Sequence, residues 1–325
     1  MGFRLGNYEM KHGLCLAPMA GYTDRAMRLV CHDAGAEYSV TEMVSAKAVV
    51  FNDQKTYSLA KILPDEGPVA IQIFGSEPEI MAEAASRLLE SDEGKRAIAI
   101  DINMGCPVHK IFSNGEGSAL MKNPELIEKI TRAVSDAISI PCTVKLRAGI
   151  NKDSLNAVEC ALAAEEGGAA FVCIHGRTRE QMYGGMADRK IIANVKSSLH
   201  IPVIANGDIL TGADAVTMIR DTNADGIAVG RGAVGNPFIF SEIVAALENK
   251  EYYPPSLDER IESALRQLRA AIEDKGERVA IPEARKQIAL YLRSFRGAAR
   301  IRAEINRATT YDEIAAALNS ALDEN

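Results

Sequence analysis

One repeating feature constrains this chain more than any other. Short apolar runs alternate with longer stretches whose apolar residues recur at helical spacing. The runs occupy residues 14–17, 38–43, 69–74, 98–103, 142–146, 170–175, 202–205 and 226–229. Each is the length of a strand buried on both faces, as in a parallel sheet. The helical stretches between them cover residues 24–34, 78–89, 124–137, 153–166, 188–197, 213–220 and 237–247, and Pro78, Pro124 and Pro237 stand near helix starts, where proline is tolerated. Repeated strand–helix units form parallel sheets, and eight of them in about 245 residues predict a closed (β/α)8 barrel. An open doubly wound sheet is disfavoured because no GxGxxG follows the first strand.

The repeat ends near Lys250. A link containing Pro254 and Pro255 follows, and beyond it the pattern is helical only, over residues 257–275, 282–295, 298–307 and 311–322. The expected layout is a barrel domain over residues 1–248 and a small all-helical domain over 249–325. The net charge is −7, so the average surface does not favour a polyanion. No signal peptide and no apolar run of membrane-spanning length is evident. The six cysteines form no CxxC pair and no zinc-spaced cluster with histidine. The expectation is a cytoplasmic protein with reduced thiols, no membrane contact and no metal.

In a barrel of this kind, chemistry sits on the rim where the strands end. The fourth run reads AIAIDINMGCP over residues 97–107, which leaves Asn103 and Cys106 at that rim. The thiol of Cys106 has three open readings: an inert buried group, a nucleophile with a depressed pKa, or a general acid that keeps its proton at neutral pH. Lys145 lies inside the fifth run, where a core would exclude it, so it is a candidate for anion stabilisation or imine chemistry. Gln72 and His175 interrupt the third and sixth runs. After the seventh and eighth runs come Asn206-Gly207-Asp208 and Gly230-Arg231-Gly232. Glycines there let backbone N–H groups approach an anion, and Arg231 adds a permanent charge, so a phosphate-bearing ligand is expected.

A second clue is local charge. Residues 285–307 carry Arg285, Lys286, Arg293, Arg296, Arg300, Arg302 and Arg307 against a single acid, Glu304. On one ideal helix five of the arginines, 285, 293, 296, 300 and 307, would share an arc of about 80°. Gly297 is the point at which that run would split into two helices, so the arc is conditional on one unbroken helix. Such a patch in an acidic protein predicts binding to a phosphodiester backbone, with Arg293, Arg296 and Arg300 as substrate contacts.

The motifs LAPMAGYTD, QIFGSEP, DINMGCPVHKIFSNGEGSALMKNP, VKLRAGI, IHGRTREQMYGG, PVIANGDI and VGRGAVGNPFIF together resemble the tRNA-dihydrouridine synthases, the bacterial B-type branch in particular. The resemblance implies FMN in the barrel mouth and NADPH as electron donor. It implies that Pro18, Met19 and Ala20 border the flavin and that Gln72 and Lys145 meet its ring. His175, Asn206, Gly207, Asp208, Gly230 and Arg231 would hold its phosphate end. Cys106 would donate a proton to C5 of a tRNA uracil while reduced FMN gives hydride to C6. Asn103 and Arg177 would touch the target nucleotide. The chain departs from the family pattern at Ile150, Arg189, Gln287 and Leu290-Tyr291, and it has no Trp.

Overall fold

The structure, a computed structural model, describes residues 2–293, 295 and 297–323. It begins with an antiparallel hairpin, β1 (Phe3–Leu5) and β2 (Tyr8–Met10), turned at Gly6 with φ +56°. The repeat follows: β3 (Leu14–Leu16), α1 (Arg25–Asp33), β4 (Tyr38–Val40), β5 (Val44–Ser45), α2 (Ala46–Val50), α3 (Gln54–Leu59), β6 (Val69–Phe74), α4 (Pro78–Glu90), β7 (Ala99–Asn103), α5 (His109–Ser113), α6 (Pro124–Ala137), β8 (Cys142–Arg147), α7 (Ala157–Glu166), β9 (Val172–His175), α8 (Arg189–Ser198), β10 (Val203–Asn206), α9 (Gly212–Thr222), β11 (Gly226–Val229) and α10 (Ile239–Leu247). Four more helices complete the chain: α11 (Leu257–Lys275), α12 (Glu277–Ile288), α13 (Ala298–Arg307) and α14 (Tyr311–Asp323).

The parallel strands run in the order β4-β3-β11-β10-β9-β8-β7-β6, and β4 pairs with β6 to close the ring. The expected (β/α)8 barrel is therefore present. Alternation along each strand sorts its residues. Leu14, Leu16, Ile71, Ile73, Ile100, Ile102, Val144, Leu146, Val172, Ile174 and Val229 face the helices and form the main apolar cluster. The inner set is smaller and more polar. Cys15, Tyr38, Ala70, Ala99, Phe171, Cys173, Ile204 and Ala228 fill the ring together with Leu5 and Met10 of the hairpin. Phe171 meets Phe3 and Tyr38 edge-on at 5.7 and 5.8 Å. These residues stand where strands begin, so the hairpin, which the repeat pattern did not announce, plugs the closed end of the barrel.

The second strand departs from expectation. It stops at Val40, and β5 forms separately against Val44↔Ile73. Between them the Thr41 hydroxyl, not a backbone carbonyl, takes the Gln72 N–H at 3.0 Å, which interrupts the ladder. Residues 153–156 are also not helical, and α7 starts only at Ala157 after the turn at Gly149.

The C-terminal helices have their own apolar cluster, from Ile261 and Leu268 through Ile281, Ile288 and Ile301 to Leu318. α11 lies along α1, with Ala270 and Ala271 against Ala26 and Leu29. Lys275 pairs with Asp24 at 2.7 Å, and Lys61 with Asp274 at 3.0 Å. A buried polar chain runs from Tyr291 Oη to Gln267 at 2.7 Å and from Gln267 Nε2 to Gln287 at 2.8 Å. The Gln287 amide then donates to the Tyr22 carbonyl of the first barrel loop at 3.3 Å.

The helix expected over 282–295 instead runs from Glu277 to Ile288, with Pro282 inside it. The backbone then tightens into turns, and Gly297, at φ +88°, starts the next helix. The single arginine arc of the ideal helix is thus not formed. Arg285 spends its guanidinium on the Ala308 carbonyl. Among the described residues no helix is long and apolar enough to cross a membrane.

Candidate active site

The inward positions at the C-terminal ends of the strands line one cavity of about 580 Å³, within the usual size of a cofactor or ligand site. Period two puts Gln72, Asn103, Lys145, His175 and Asn206 there, and the loops after the strands add the rest. Pro18, Met19, Ala20, Gln72, Asn103, Cys106, Lys145, His175, Arg177, Asn206, Gly207, Asp208, Gly230, Arg231 and Arg293 all line this cavity. Arg300 does not. It stands on α13, paired with Glu304 at 2.6 Å. Arg296 lies outside the described residues.

Charge in the cavity is unbalanced. Lys145 is half-buried, and its hydrogen-bond partner is the neutral Asn206 Oδ1 at 3.0 Å. Burial lowers its pKa. Burial, and then the surrounding Lys145, Arg147, Arg177 and Arg231, push His175 down to about 2, so its imidazole is neutral. Against these four cations the cavity wall carries one carboxylate, Asp208, 2.6 Å from Arg177 and 3.6 Å from Arg231, while Asp101 acts on Lys145 from below the wall. Asp208 also accepts the Ala187 N–H at 2.7 Å and sits at φ +53°.

The arrangement around these cations favours an anion. Arg231 is half exposed, and a phosphate group seated beside it would complete the charge balance. At Gly207 the φ is +128° and a Cβ would lie 2.6 Å from Ala187 Cβ, so the close turn requires glycine. At Gly230 a Cβ would meet only Met19 Sδ at 3.5 Å and Ala17 Cβ at 4.0 Å, which leaves backbone open to a ligand.

A hydrogen-bond relay anchors the thiol loop. Asp101 is 2% exposed and accepts from Thr143 Oγ1 and from Gln72 Nε2, both at 2.6 Å. Gln72 Oε1 accepts from Asn103 Nδ2 at 2.8 Å, and Asn103 Oδ1 accepts the Cys106 N–H at 2.8 Å. An ionised carboxylate can only accept. It therefore fixes the orientation of both amides and aims Asn103 Oδ1 at the loop. Burial raises Asp101 to about 6, against the pull of Thr143, Gln72 and Lys145. From the other side Arg147 Nε donates to the Gly105 carbonyl at 2.7 Å, and Ser118 Oγ donates to the Cys106 carbonyl at 2.7 Å. The Cys106 thiol is 9% exposed, and burial raises its pKa against a smaller pull from the Val108 N–H and Arg147. At neutral pH it is a protonated acid and not a thiolate.

Three features escaped the sequence. Asp101 was visible only as a lone acid in an apolar run, and its partners lie 29 and 42 residues away. Arg177 faces the cavity, yet its guanidinium is committed to the Gly184 and Gly185 carbonyls and to Asp208. Tyr22 and Tyr183 line the mouth, under Lys286 at 4.4 Å and Arg231 at 5.0 Å.

Comparison with known proteins fits this geometry. The Dihydrouridine synthase (Dus) family matches residues 15–325. A probable tRNA-dihydrouridine synthase of Rickettsia conorii is 39% identical over 93% of this chain and 91% of its own. The tRNA-dihydrouridine synthase B of Pseudomonas aeruginosa is 38% identical over 94% and 91%, and that of Vibrio cholerae is 38% identical over 98% of each. Among solved structures, morphinone reductase in complex with tetrahydroNAD shares the fold, with TM-score 0.54 at 11% identity over 80% of this chain and 93% of its own. The histamine dehydrogenase of Rhizobium sp. 4-9 gives 0.58 at 11% over 83% and 50%. The family match spans the barrel, the cavity and the C-terminal helices alike: this chain belongs to the dihydrouridine synthase family.

Proposed function

We propose that this chain is a tRNA-dihydrouridine synthase of the B type, which reduces the C5=C6 bond of specific tRNA uridines in the cytoplasm with FMN and electrons from NADPH. The names of its relatives support the substrate. The observation that carries the chemistry is the meeting of a protonated thiol and an under-compensated cluster of cations in one cavity.

The residues fit FMN. Arg231, His175, Asn206, Asp208, the close turn at Gly207 and the open backbone at Gly230 would hold its phosphate end. Pro18, Met19, Ala20, Gln72 and Lys145 would border its ring, with the Lys145 ammonium favouring negative charge there. Bound here and first reduced by NADPH, FMN would supply hydride to C6 of the uracil and return to its oxidised form. Cys106 Sγ, held by its loop, donates the proton to C5. Asn103 positions that loop and reaches the base, while Arg177 orients Asp208 and the Gly184-Gly185 turn.

Uracil is stacked in folded RNA, so the target nucleotide must be extruded to reach this depth. In this reading residues 249–325 are a tRNA-binding domain, with Arg293 at the mouth, Arg300 farther out on α13 and Arg296, which lies outside the described residues, as a further phosphate contact. The test is to purify the protein, release its flavin, and assay unmodified tRNA with NADPH. Bound FMN and dihydrouridine formation are expected. A colourless protein that FMN does not reconstitute would refute the proposal.

A further inference from the structure

A second hollow, of about 540 Å³, opens beside the first on the same rim. It lies among the segments that follow β7, β8 and β9. Phe112 of α5 forms its floor, with Lys122 Nζ 4.4 Å and the Arg179 guanidinium 4.1 Å from the ring centroid. Two cations sharing one aromatic ring are held in place before any ligand arrives. Among the described residues neither has a carboxylate within ion-pair distance, whereas nearby Arg177, Arg189 and Arg231 all do. Glu180 is the one carboxylate in the lining.

Two buried polar atoms in this hollow lack partners: Arg179 Nε, a donor, and Asn156 Oδ1, an acceptor. Asn156 occupies the N-cap of α7 but makes no capping hydrogen bond, its amide donating instead to the Met121 carbonyl at 2.6 Å. The first-turn amides of α7 thus receive no side-chain cap from Asn156, and the helix end, whose first turn carries one acid, Glu159, opens on the same hollow as the two cations. Unfilled donors and cations call for an anion, while the orphan acceptor calls for a hydroxyl. A ribose–phosphate unit offers both.

We propose that this hollow binds one ribose–phosphate step of the RNA backbone, next to the nucleotide drawn into the main cavity. This rests on the reading of the chain as acting on tRNA. The placement suits a polymer. Phe112 is four residues along the chain from Val108, which lines the main cavity beside Cys106, a rise of about 6 Å on a helix. A chain with one nucleotide in the first hollow carries its neighbour past the second. Phosphate contacts of this kind fix register and carry no sequence preference.

The test uses the FMN-loaded full-length protein and compares wild type, Lys122→Ala/Arg179→Ala, and a control, Lys129→Ala/Lys190→Ala, which removes the same charge from exposed sites on α6 and α8. Affinity for unmodified tRNA is measured from 50 to 200 mM KCl. Each lost phosphate contact lowers the slope of log affinity against log salt by roughly 0.7 to 0.9. The expected result is a slope shallower by about that amount for the first pair alone, with a raised KM for tRNA and unchanged flavin content and KM for NADPH. A slope equal to wild type, or one lowered as much by the control, overturns the proposal. So does a raised KM for NADPH with tRNA binding intact, which would give the site to the dinucleotide's phosphate. Wild-type protein that binds no tRNA would instead sink the functional reading itself.

Discussion

Replacing Asp101 by Asn separates the electrostatic cost of this carboxylate from what it holds in place. Its folded pKa of about 6 exceeds its ordinary value of 3.8. The folded state therefore binds the proton more tightly, and this group lowers stability as pH rises through the window between those values. A shift of two units makes the ionised group cost about 3 kcal/mol at pH 7, of which about 1 kcal/mol accrues between pH 5 and pH 7. Asn removes that cost but also removes one of two acceptors. Thr143 and Gln72 both donate to residue 101, and one must then face an NH2 group, at about 1.5–3 kcal/mol for a hydrogen bond to a charged partner. The two effects nearly cancel at pH 7, so the variant folds.

The relay is not preserved. If Thr143 keeps its acceptor, Gln72 must flip, Asn103 must follow, and an NH2 then faces the Cys106 N–H. A displaced loop of this kind costs on the order of 100-fold in turnover. Urea unfolding of both proteins at pH 5 and pH 7 reads the first effect, because other carboxylates cancel in the difference. The variant should gain about 1 kcal/mol on wild type over that range. Steady-state reduction of tRNA reads the second effect. A stability difference that does not change with pH, or full turnover in the variant, would refute the reasoning.

Other outcomes follow from the same geometry. Alkylation of Cys106 by iodoacetamide, followed by mass spectrometry, should keep accelerating about tenfold per pH unit from pH 7 to pH 9 without levelling off, since burial raises the thiol pKa; a plateau near neutral pH would mean a thiolate. Lys145→Met should weaken FMN binding to apoprotein by about 10- to 100-fold, the worth of one charged hydrogen bond, in a fluorescence titration; unchanged affinity would remove lysine from the cofactor site. Gly207→Ala should destabilise the fold by more than about 1 kcal/mol through its positive φ and lose bound flavin, read by denaturation and absorbance; a stable, fully loaded variant would show that the turn tolerates a side chain.

The barrel was legible because both faces of its strands are apolar and its helices are spaced regularly. Rim residues such as Lys145, Gln72 and His175 were legible for the opposite reason: each is a polar interruption that a packed core would not tolerate. What escaped depends on partners remote in sequence. Asp101 reads as a solitary acid until Thr143 and Gln72 close around it. Arg177 reads as a free cation until Asp208 captures it. The arginine arc rested on one continuous helix, but the first helix ends at Ile288 and the next starts only after the left-handed Gly297. The hairpin at the closed end is too short, with three residues per strand, to leave a pattern.

The central claim is that Cys106 acts on the nucleobase and not on the cofactor, and separating the two half-reactions tests it most directly. Cys106→Ala protein, loaded with FMN, is first reduced by NADPH and then mixed with unmodified tRNA in a stopped-flow spectrophotometer. The account predicts reduction at the wild-type rate and a collapse of tRNA-dependent reoxidation. Reoxidation by tRNA at the wild-type rate, with dihydrouridine formed, would contradict it.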